Sequence, residues 1–384
     1  MKQFIFFMLI AAISLFTSCS TESLLTDSST ESTLTNEGGG QFENEQSGLI
    51  TAAEWRDLEN WDYWKEVITY ETISELPSYW KFYNNNRVSI LLQSNNQPVI
   101  DVSVQLIKDE AVIWESKTDN FGKAELWIDL FYENNSIDMN EYSLKLNNEP
   151  IDFSLKLFSE GINEIEFESN QNRPSSVELS FIVDATGSMS DEIKFLQDDL
   201  NDVIQRVKSE NSSINISTST VFYRDEGDDY LVRSSDFTTD TNNTINFIKD
   251  QQAGGGGDYP EAVHTGLKVA IEDFQWSENA GARIAFLILD APPHYEPDVI
   301  LQLQQTITEA ARKGIKIIPI SASGIDKKTE FLMRFFSIST NSTYVFITND
   351  SGIGNDHIEA TVGEHEVEYL NDLMVRLIKE YSEY

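Results

Sequence analysis

Apolar runs and amphipathic segments alternate along the second half of the chain. Val177 to Val183 is an apolar-rich run that ends in Asp184, a pattern typical of a strand buried on both faces. Ser190 to Lys208 repeats apolar residues every three or four positions, which predicts an amphipathic helix. Further strands are predicted at about Ile216 to Tyr223, Tyr230 to Ser235, Ile284 to Leu289, Ile315 to Ile320 and Tyr344 to Ile347, and helices at about Asn243 to Gln251, Pro260 to Asp273, Pro297 to Lys313, Lys328 to Ile338 and Glu364 to Tyr381. The alternation predicts an α/β domain over residues 175–384, with a doubly wound, mostly parallel sheet.

The period changes to two between Arg87 and Glu168. Apolar residues alternate with polar ones in four runs: Ile100 to Leu106, Ala124 to Leu130, Leu144 to Leu146 and Ile151 to Leu157. Short alternating runs between turn residues predict about seven half-buried strands, and hence a small all-β sandwich over residues 85–169. The stretches Gln97 to Val104 and Thr118 to Ala124 resemble the carboxypeptidase regulatory and transthyretin-like sandwiches. We interpret this domain as a spacer or stalk.

Residues 50–84 are rich in tryptophan. Leu58, Trp61, Trp64 and Val67 fall at helical spacing, and Trp55 and Trp80 flank them. An aromatic cluster of this kind binds sugar in some proteins. The pattern favours instead a helical connector that packs on the next domain.

The N-terminus has the pattern of an export signal over residues 1–18. A positive start is followed by an apolar run, Phe4 to Phe16, that is too short to span a bilayer, and then by small residues. Cys19 stands where bacterial lipoprotein signals place the lipidated residue. The resemblance implies a bacterial cell-envelope protein at the outer membrane or cell surface, held to the membrane by a lipid anchor only. The alternative is an ordinary signal peptide with an incidental cysteine.

Residues 19–49 are mostly Ser, Thr, Asn, Glu and Gly and include no Lys or Arg. Such a segment buries too little apolar area to offset its ordering entropy, so we expect a disordered acidic tether.

The charge balance excludes several partners. The chain has 27 Lys and Arg against 64 Asp and Glu, for a formal net charge of −37. Nucleic acid and anionic lipid surfaces require clustered basic residues, so neither is expected to bind. One cysteine excludes a disulfide framework and a cysteine-based zinc site. A net negative charge of this size is typical of a solvated surface. Cation binding requires specific residues in addition to the overall charge.

Two predicted strands end in residues with hard oxygen ligands. Asp184, Thr186 and Ser188 lie on one tight loop after the first buried strand, and Asp290 follows the strand at Ile284 to Leu289. Because the carboxyl ends of parallel strands meet at one edge of a sheet, we expect these groups to lie together. Carboxylate and hydroxyl oxygens select Mg²⁺, Mn²⁺ or Ca²⁺ rather than zinc.

The Asp-x-Thr-Gly-Ser loop is similar to the metal-ion-dependent adhesion site of von Willebrand factor type A domains. The likeness extends to Tyr223 to Asp225, Phe237 to Asp240, Gly254 to Glu261 and Asp290 to His294. The resemblance implies an ion surrounded by Asp184, Thr186, Ser188 and Asp290. The family's second-loop threonine is replaced here by Asp258, whose charge would strengthen cation binding and weaken attraction for an acidic ligand.

In that family the ion keeps an open position that a Glu or Asp of a partner protein fills. The resemblance therefore implies a binding module without turnover, which holds Mg²⁺, or Ca²⁺ or Mn²⁺, and takes a protein ligand, for instance through an acidic side chain. One rival is a Mg²⁺-dependent haloacid-dehalogenase-like phosphatase, but that chemistry needs a second Asp where this chain has Thr186. Another is a structural spacer with a vestigial metal site.

Other polar clusters have plainer explanations. Gly254 to Gly257 lack the Lys-Ser/Thr ending of a P-loop. The acidic run from Asp225 to Asp229 lacks calcium-loop spacing and is expected to be a solvated hairpin tip. Of the scattered histidines, His294 lies beside the proposed site. Ser188 or Ser190 could also serve only to cap the following helix.

Overall fold

The computed structural model describes residues 47–134, 136–168, 175–210, 214–352 and 357–383. The predicted export signal, Cys19 and most of the predicted tether lie outside these residues. The described residues belong to one compact unit, which runs from Asn44 to Tyr384. Among them, no helix combines the length and the apolar character needed to cross a bilayer.

The strands of the described residues are, in chain order, β1 (Thr51–Trp55), β2 (Arg87–Ser94), β3 (Gln97–Pro98), β4 (Ser103–Lys108), β5 (Ala111–Lys117), β6 (Lys123–Trp127), β7 (Tyr142–Leu146), β8 (Glu149–Ile151), β9 (Asn163–Glu166), β10 (Ser176–Asp184), β11 (Asn215–Tyr223), β12 (Val232–Thr238), β13 (Ala282–Leu289), β14 (Ile315–Ser321), β15 (Tyr344–Ile347) and β16 (Val367–Tyr369). The α-helices are α1 (Trp61–Val67), α2 (Leu76–Trp80), α3 (Ile193–Glu210), α4 (Thr241–Lys249), α5 (Val263–Lys268), α6 (Pro297–Lys313), α7 (Lys327–Ser339) and α8 (Leu370–Ser382).

The central sheet has eight strands in the order β12-β11-β10-β13-β14-β15-β1-β16. Strands β11, β10, β13, β14 and β15 are parallel, while β12 pairs with β11 in the antiparallel direction. Consecutive residues of β10 enter different cores: Phe181 packs with α3 and α8, and Ile182 with α5, α6 and α7. Helices therefore cover both faces of a mostly parallel sheet, and the predicted α/β fold is confirmed.

Strand β1 joins this sheet from a position before the β-rich region. It lies between β15 and β16 and is antiparallel to both. Its two alanines, Ala52 and Ala53, are fully buried and belong to the cores on opposite faces of the sheet. The sequence pattern predicted only a helical connector over residues 50–84, and it placed Val367–Tyr369 inside the last helix. The sheet thus takes in residues outside the range 175–384.

The tryptophan-rich segment packs against α7. Trp64 stacks on Phe331 with ring centroids 4.8 Å apart. Arg334 of the same helix is fully buried and pairs with Asp57. Trp55, Trp61, Trp64 and Trp80 are all buried, so none of them offers an exposed ring for a sugar. The sequence predicted packing on the next domain along the chain, and Trp61 does contact Trp127 of β6, but the contacts with α7 were not predicted.

Residues 87–166 form two four-stranded sheets. One contains β3, β2 and β6, with β9 parallel to β2, and the other has the order β5-β4-β7-β8. Two ion pairs hold this region against the α/β part: Arg283 with Asp101 at 2.8 Å, and Lys316 with Asp119 at 3.2 Å. All four side chains are nearly buried. The region predicted to be a stalk is therefore docked along the sheet and its helices.

Candidate functional site

The loop after β10 is organised around Asp184. Its carboxylate is fully buried, and Oδ1 accepts hydrogen bonds from the backbone N of Thr186 at 2.9 Å and from Thr186 Oγ1 at 2.7 Å. The Oγ atoms of Thr186 and Ser188 lie 3.2 Å apart. A short 3-10 helix, Gly187–Asp191, then leads into α3. The loop thus places one carboxylate and two hydroxyls together, as predicted.

Asp290 follows β13, the strand next to β10 in the sheet. Its side chain is buried, and burial together with the charge of Asp184 raises the pKa of its carboxyl group. The pKa of Asp184 is also raised, mainly by burial. Parallel pairing of β10 with β13 therefore brings the two carboxylates to one edge, as the sequence predicted.

The buried carboxylate oxygens at this edge without a hydrogen-bond donor include Asp184 Oδ2, Asp290 Oδ1 and Glu261 Oε2. Tyr223 ends the neighbouring strand β11, and its pKa lies well above the usual range because of burial and the charges of these same three groups. A buried polar atom without a partner costs free energy, and a buried charge costs more. A cation among these oxygens would remove that cost.

The glycine-rich segment lies against the Asp184 loop. Gly254 donates a backbone hydrogen bond to Ala185 O at 3.0 Å, and Gly187 donates one to Gly255 O at 3.2 Å. Gly255 has a positive φ of 78°, and a Cβ there would come within 2.2 Å of a carboxylate oxygen of Asp228. Glycine is required because the chain turns in the left-handed region with no room for a side chain. The segment is a support for the site rather than a phosphate cradle.

Asp258 is not among these buried groups. Its side chain is exposed, and it makes no hydrogen bond or ion pair within the described residues. The buried carboxylate from this part of the chain is Glu261, which is 3% exposed. Burial and the charges of Asp184 and Asp225 raise the pKa of Glu261 to about 9. The sequence placed Glu261 at the start of a predicted helix, Pro260 to Asp273, and did not single it out as a ligand.

Asp225 was also expected to be solvated, and here the prediction was wrong. It is buried, and its Oδ1 lies 2.7 Å from His294 Nε2, while Glu226 and Asp229 are exposed as expected. The neighbouring Arg224 donates to the backbone oxygens of Ala185 and Gln252, so its charge is not directed at the carboxylates.

The donor set fits a hard cation. No three His, Cys, Asp or Glu side chains in the described ranges are arranged to hold a metal ion by themselves. An ion at this edge would therefore also use the hydroxyls of Thr186 and Ser188, together with Asp184 and Asp290. Oxygen ligands of these types suit Mg²⁺, Mn²⁺ or Ca²⁺.

Two curated proteins are similar to part of the chain. A putative ariadne-like RING finger protein of Acanthamoeba polyphaga mimivirus is 32% identical over 120 residues, which are 31% of this chain and 11% of that protein. An alpha-protein kinase of Dictyostelium discoideum is 32% identical over 123 residues, again 31% of this chain and 19% of that protein. The chain thus matches less than a fifth of the length of either relative.

Solved structures with similar chains include the conserved hypothetical protein BatB from Bacteroides thetaiotaomicron. It is 12% identical with a TM-score of 0.36, and the match covers 54% of this chain and 99% of that one. The pilus adhesin SpaC from Lactobacillus rhamnosus GG, in its open conformation, is 13% identical with a TM-score of 0.38, over 56% of this chain and 31% of that one.

The family model described as the von Willebrand factor A domain matches residues 178–354. The match begins within β10 and includes the loops that carry Asp184, Glu261 and Asp290. Residues 178–354 therefore form a von Willebrand factor A domain.

Proposed function

We propose that this protein binds a protein partner through a divalent cation held at the carboxyl edge of the sheet. The preferred ion is Mg²⁺. Asp184, Thr186, Ser188 and Asp290 would hold the ion. The observation that carries the proposal is the group of buried carboxylate oxygens at this edge that lack any hydrogen-bond donor. The ion's remaining coordination position would accept an oxygen from the partner.

We further propose that the protein acts by binding and not by turnover. The phosphatase alternative needs an acid two residues after Asp184, and that position is Thr186, which is buried and donates its hydrogen bond to Asp184. The proposed place of action is the bacterial cell surface, with attachment through a lipid on Cys19. This part of the proposal rests on the N-terminal sequence pattern alone.

Calorimetric titration of the full chain with MgCl₂ tests the cation site. Asp184→Ala should lose binding by roughly 10- to 100-fold or more, the loss typical when groups that support a metal site are removed. Glu309→Gln is the matched control, because Glu309 pairs with Arg312 on the surface of α6, away from the strand ends. Native protein that takes up no Mg²⁺, Mn²⁺ or Ca²⁺ would refute the proposal.

Capture of cell-surface proteins by the immobilised full chain tests the second part of the proposal, the binding of a protein partner through the cation. We expect the partner to be retained in Mg²⁺, and to be lost both in chelator and with Asp184→Ala. A partner retained equally in all three conditions would show that binding does not use the cation.

A further inference from the structure

Glu261 is held beside Asp290 by the backbone. Its N–H donates to Pro292 O at 2.8 Å, and the residue forms an isolated parallel bridge with Pro293. These prolines follow Asp290 directly in the chain. The glycine-rich segment is therefore joined to the Asp290 loop at Glu261 and not at Asp258.

The carboxylate of Glu261 also faces the loop after β10. A Cβ on Gly256 would lie 2.8 Å from Glu261 Oε1 and 3.4 Å from Thr186 Cβ. The side chains of Glu261 and Thr186 thus border one small space that the absence of a side chain at Gly256 leaves open. Gly256 has a φ of 72°, so the backbone at this point also favours glycine.

The second oxygen of Glu261 has no partner. Oε2 is buried without a hydrogen-bond donor, as are Asp184 Oδ2 and Asp290 Oδ1. Burial, followed by the charges of Asp184, Asp225 and Asp290, raises the pKa of Glu261 to about 9. The three carboxylates repel one another, and the three oxygens named here have no donor that would relieve this.

We propose that Glu261, and not Asp258, is the carboxylate that the glycine-rich segment contributes to the cation. The inference rests on the proposed function, and it also names the partner chemistry. A divalent ion balances only two of the three carboxylates, so the loaded site keeps a net negative charge. A partner carboxylate would be repelled there. The open position therefore takes a neutral oxygen of a partner protein, such as a side-chain amide, in place of an acidic side chain.

Calorimetric titration of the full chain with MnCl₂ and MgCl₂ tests the ligand assignment. Glu261→Gln keeps the shape of the side chain and should weaken binding roughly 10- to 100-fold. Asp258→Asn is the matched control and should change affinity less than about twofold, because exposed charges are well screened.

Two outcomes of this titration overturn the assignment: equal affinity in Glu261→Gln and native protein, or an equal loss in Asp258→Asn. Native protein that binds neither ion refutes the proposed function itself. Unfolding midpoints of both variants, measured without added metal, verify folding.

Water-proton relaxation of the Mn²⁺-loaded protein tests the partner chemistry, since it reports water at the open coordination position. Acetate should displace this water from Glu261→Gln at lower concentration than from native protein. Neutral acetamide should displace it from both proteins at the same concentration. Acetate that displaces water equally from both proteins would overturn the charge argument.

Discussion

The buried pair between Asp57 and Arg334 joins the N-terminal segment to α7, and its removal should be costly. Arg334 is fully buried, and its Nε and Nη2 donate to the two carboxylate oxygens of Asp57 at 2.9 and 2.5 Å. Its Nη1 donates to Thr361 O. Asp57→Ala leaves the guanidinium inside the protein without its main counter-charge.

The structure sets the size of the effect. Removing one member of a buried ion pair costs about 3 to 5 kcal/mol, because the other charge stays buried. Glu330 is also buried and lies 3.9 Å from Arg334, so it compensates part of the lost interaction. We therefore expect about 3 kcal/mol, near the lower end of that range.

Equilibrium unfolding in urea, followed by tryptophan fluorescence, measures this cost. Replacing both partners, as in the double variant Asp57→Val with Arg334→Met, should restore much of the stability, because neither charge of this pair is left buried without the other. Glu309→Ala is the surface control, since its partner Arg312 is half exposed, and it should cost less than about 1 kcal/mol. A loss below about 1 kcal/mol in Asp57→Ala, or a double variant less stable than the single one, would refute the reasoning.

Three further predictions concern stability. Burial raises the pKa of Asp199 to about 7, so folding binds a proton and the free energy of unfolding falls as pH rises from about 4 to 7. Asp199→Asn keeps the oxygen that accepts from Gly48 N. This variant should therefore raise the unfolding midpoint at pH 8 and leave it unchanged at pH 3.5. An equal shift at both pH values would contradict this prediction. Asn120 Nδ2 donates to two carbonyls at the end of α8, so Asn120→Ala should cost about 1 to 3 kcal/mol in urea unfolding, and an unchanged midpoint contradicts that role. A Cβ at Gly266 would lie 2.6 Å from the Tyr223 ring, so Gly266→Val should destabilise the protein and weaken Mg²⁺ binding. The control Gly281→Ala should leave the Mg²⁺ affinity unchanged. Equal Mg²⁺ affinity in Gly266→Val and native protein would argue against coupling between Gly266 and the cation site.

The α/β core was predictable because its signals are local. Continuous apolar runs identify strands buried on both faces, and α6 was predicted with the bounds that the structure shows. Strand β1 could not be predicted in the same way. Its five residues have no distinctive period, and its partners, β15 and β16, lie about three hundred residues further along the chain. Only the completed sheet provides the edge that makes this segment a strand.

The residues of the candidate site can likewise be divided into those that the sequence predicted and those that it did not. Asp184 and Asp290 were predictable because each ends a buried strand, and parallel strands deliver their ends to one edge. Glu261 and Asp225 were not: the sequence predicted a helix from Pro260 and a solvated hairpin tip at Asp225, and each residue is buried by a distant segment. Pro292 binds the backbone of Glu261, and His294 covers Asp225. Acidic loop residues are usually solvated, and the exceptions depend on contacts that a single sequence does not display.

Strand β1 also has a mechanical consequence. Because Ala52 pairs with Ile347 at the end of β15, β1 begins at the same edge of the sheet as Asp184 and Asp290. Hydrogen bonds of antiparallel strands run perpendicular to the strand axis. Tension applied along β1 therefore loads its hydrogen bonds to both β15 and β16 in shear. In shear the bonds resist together and do not open one after another.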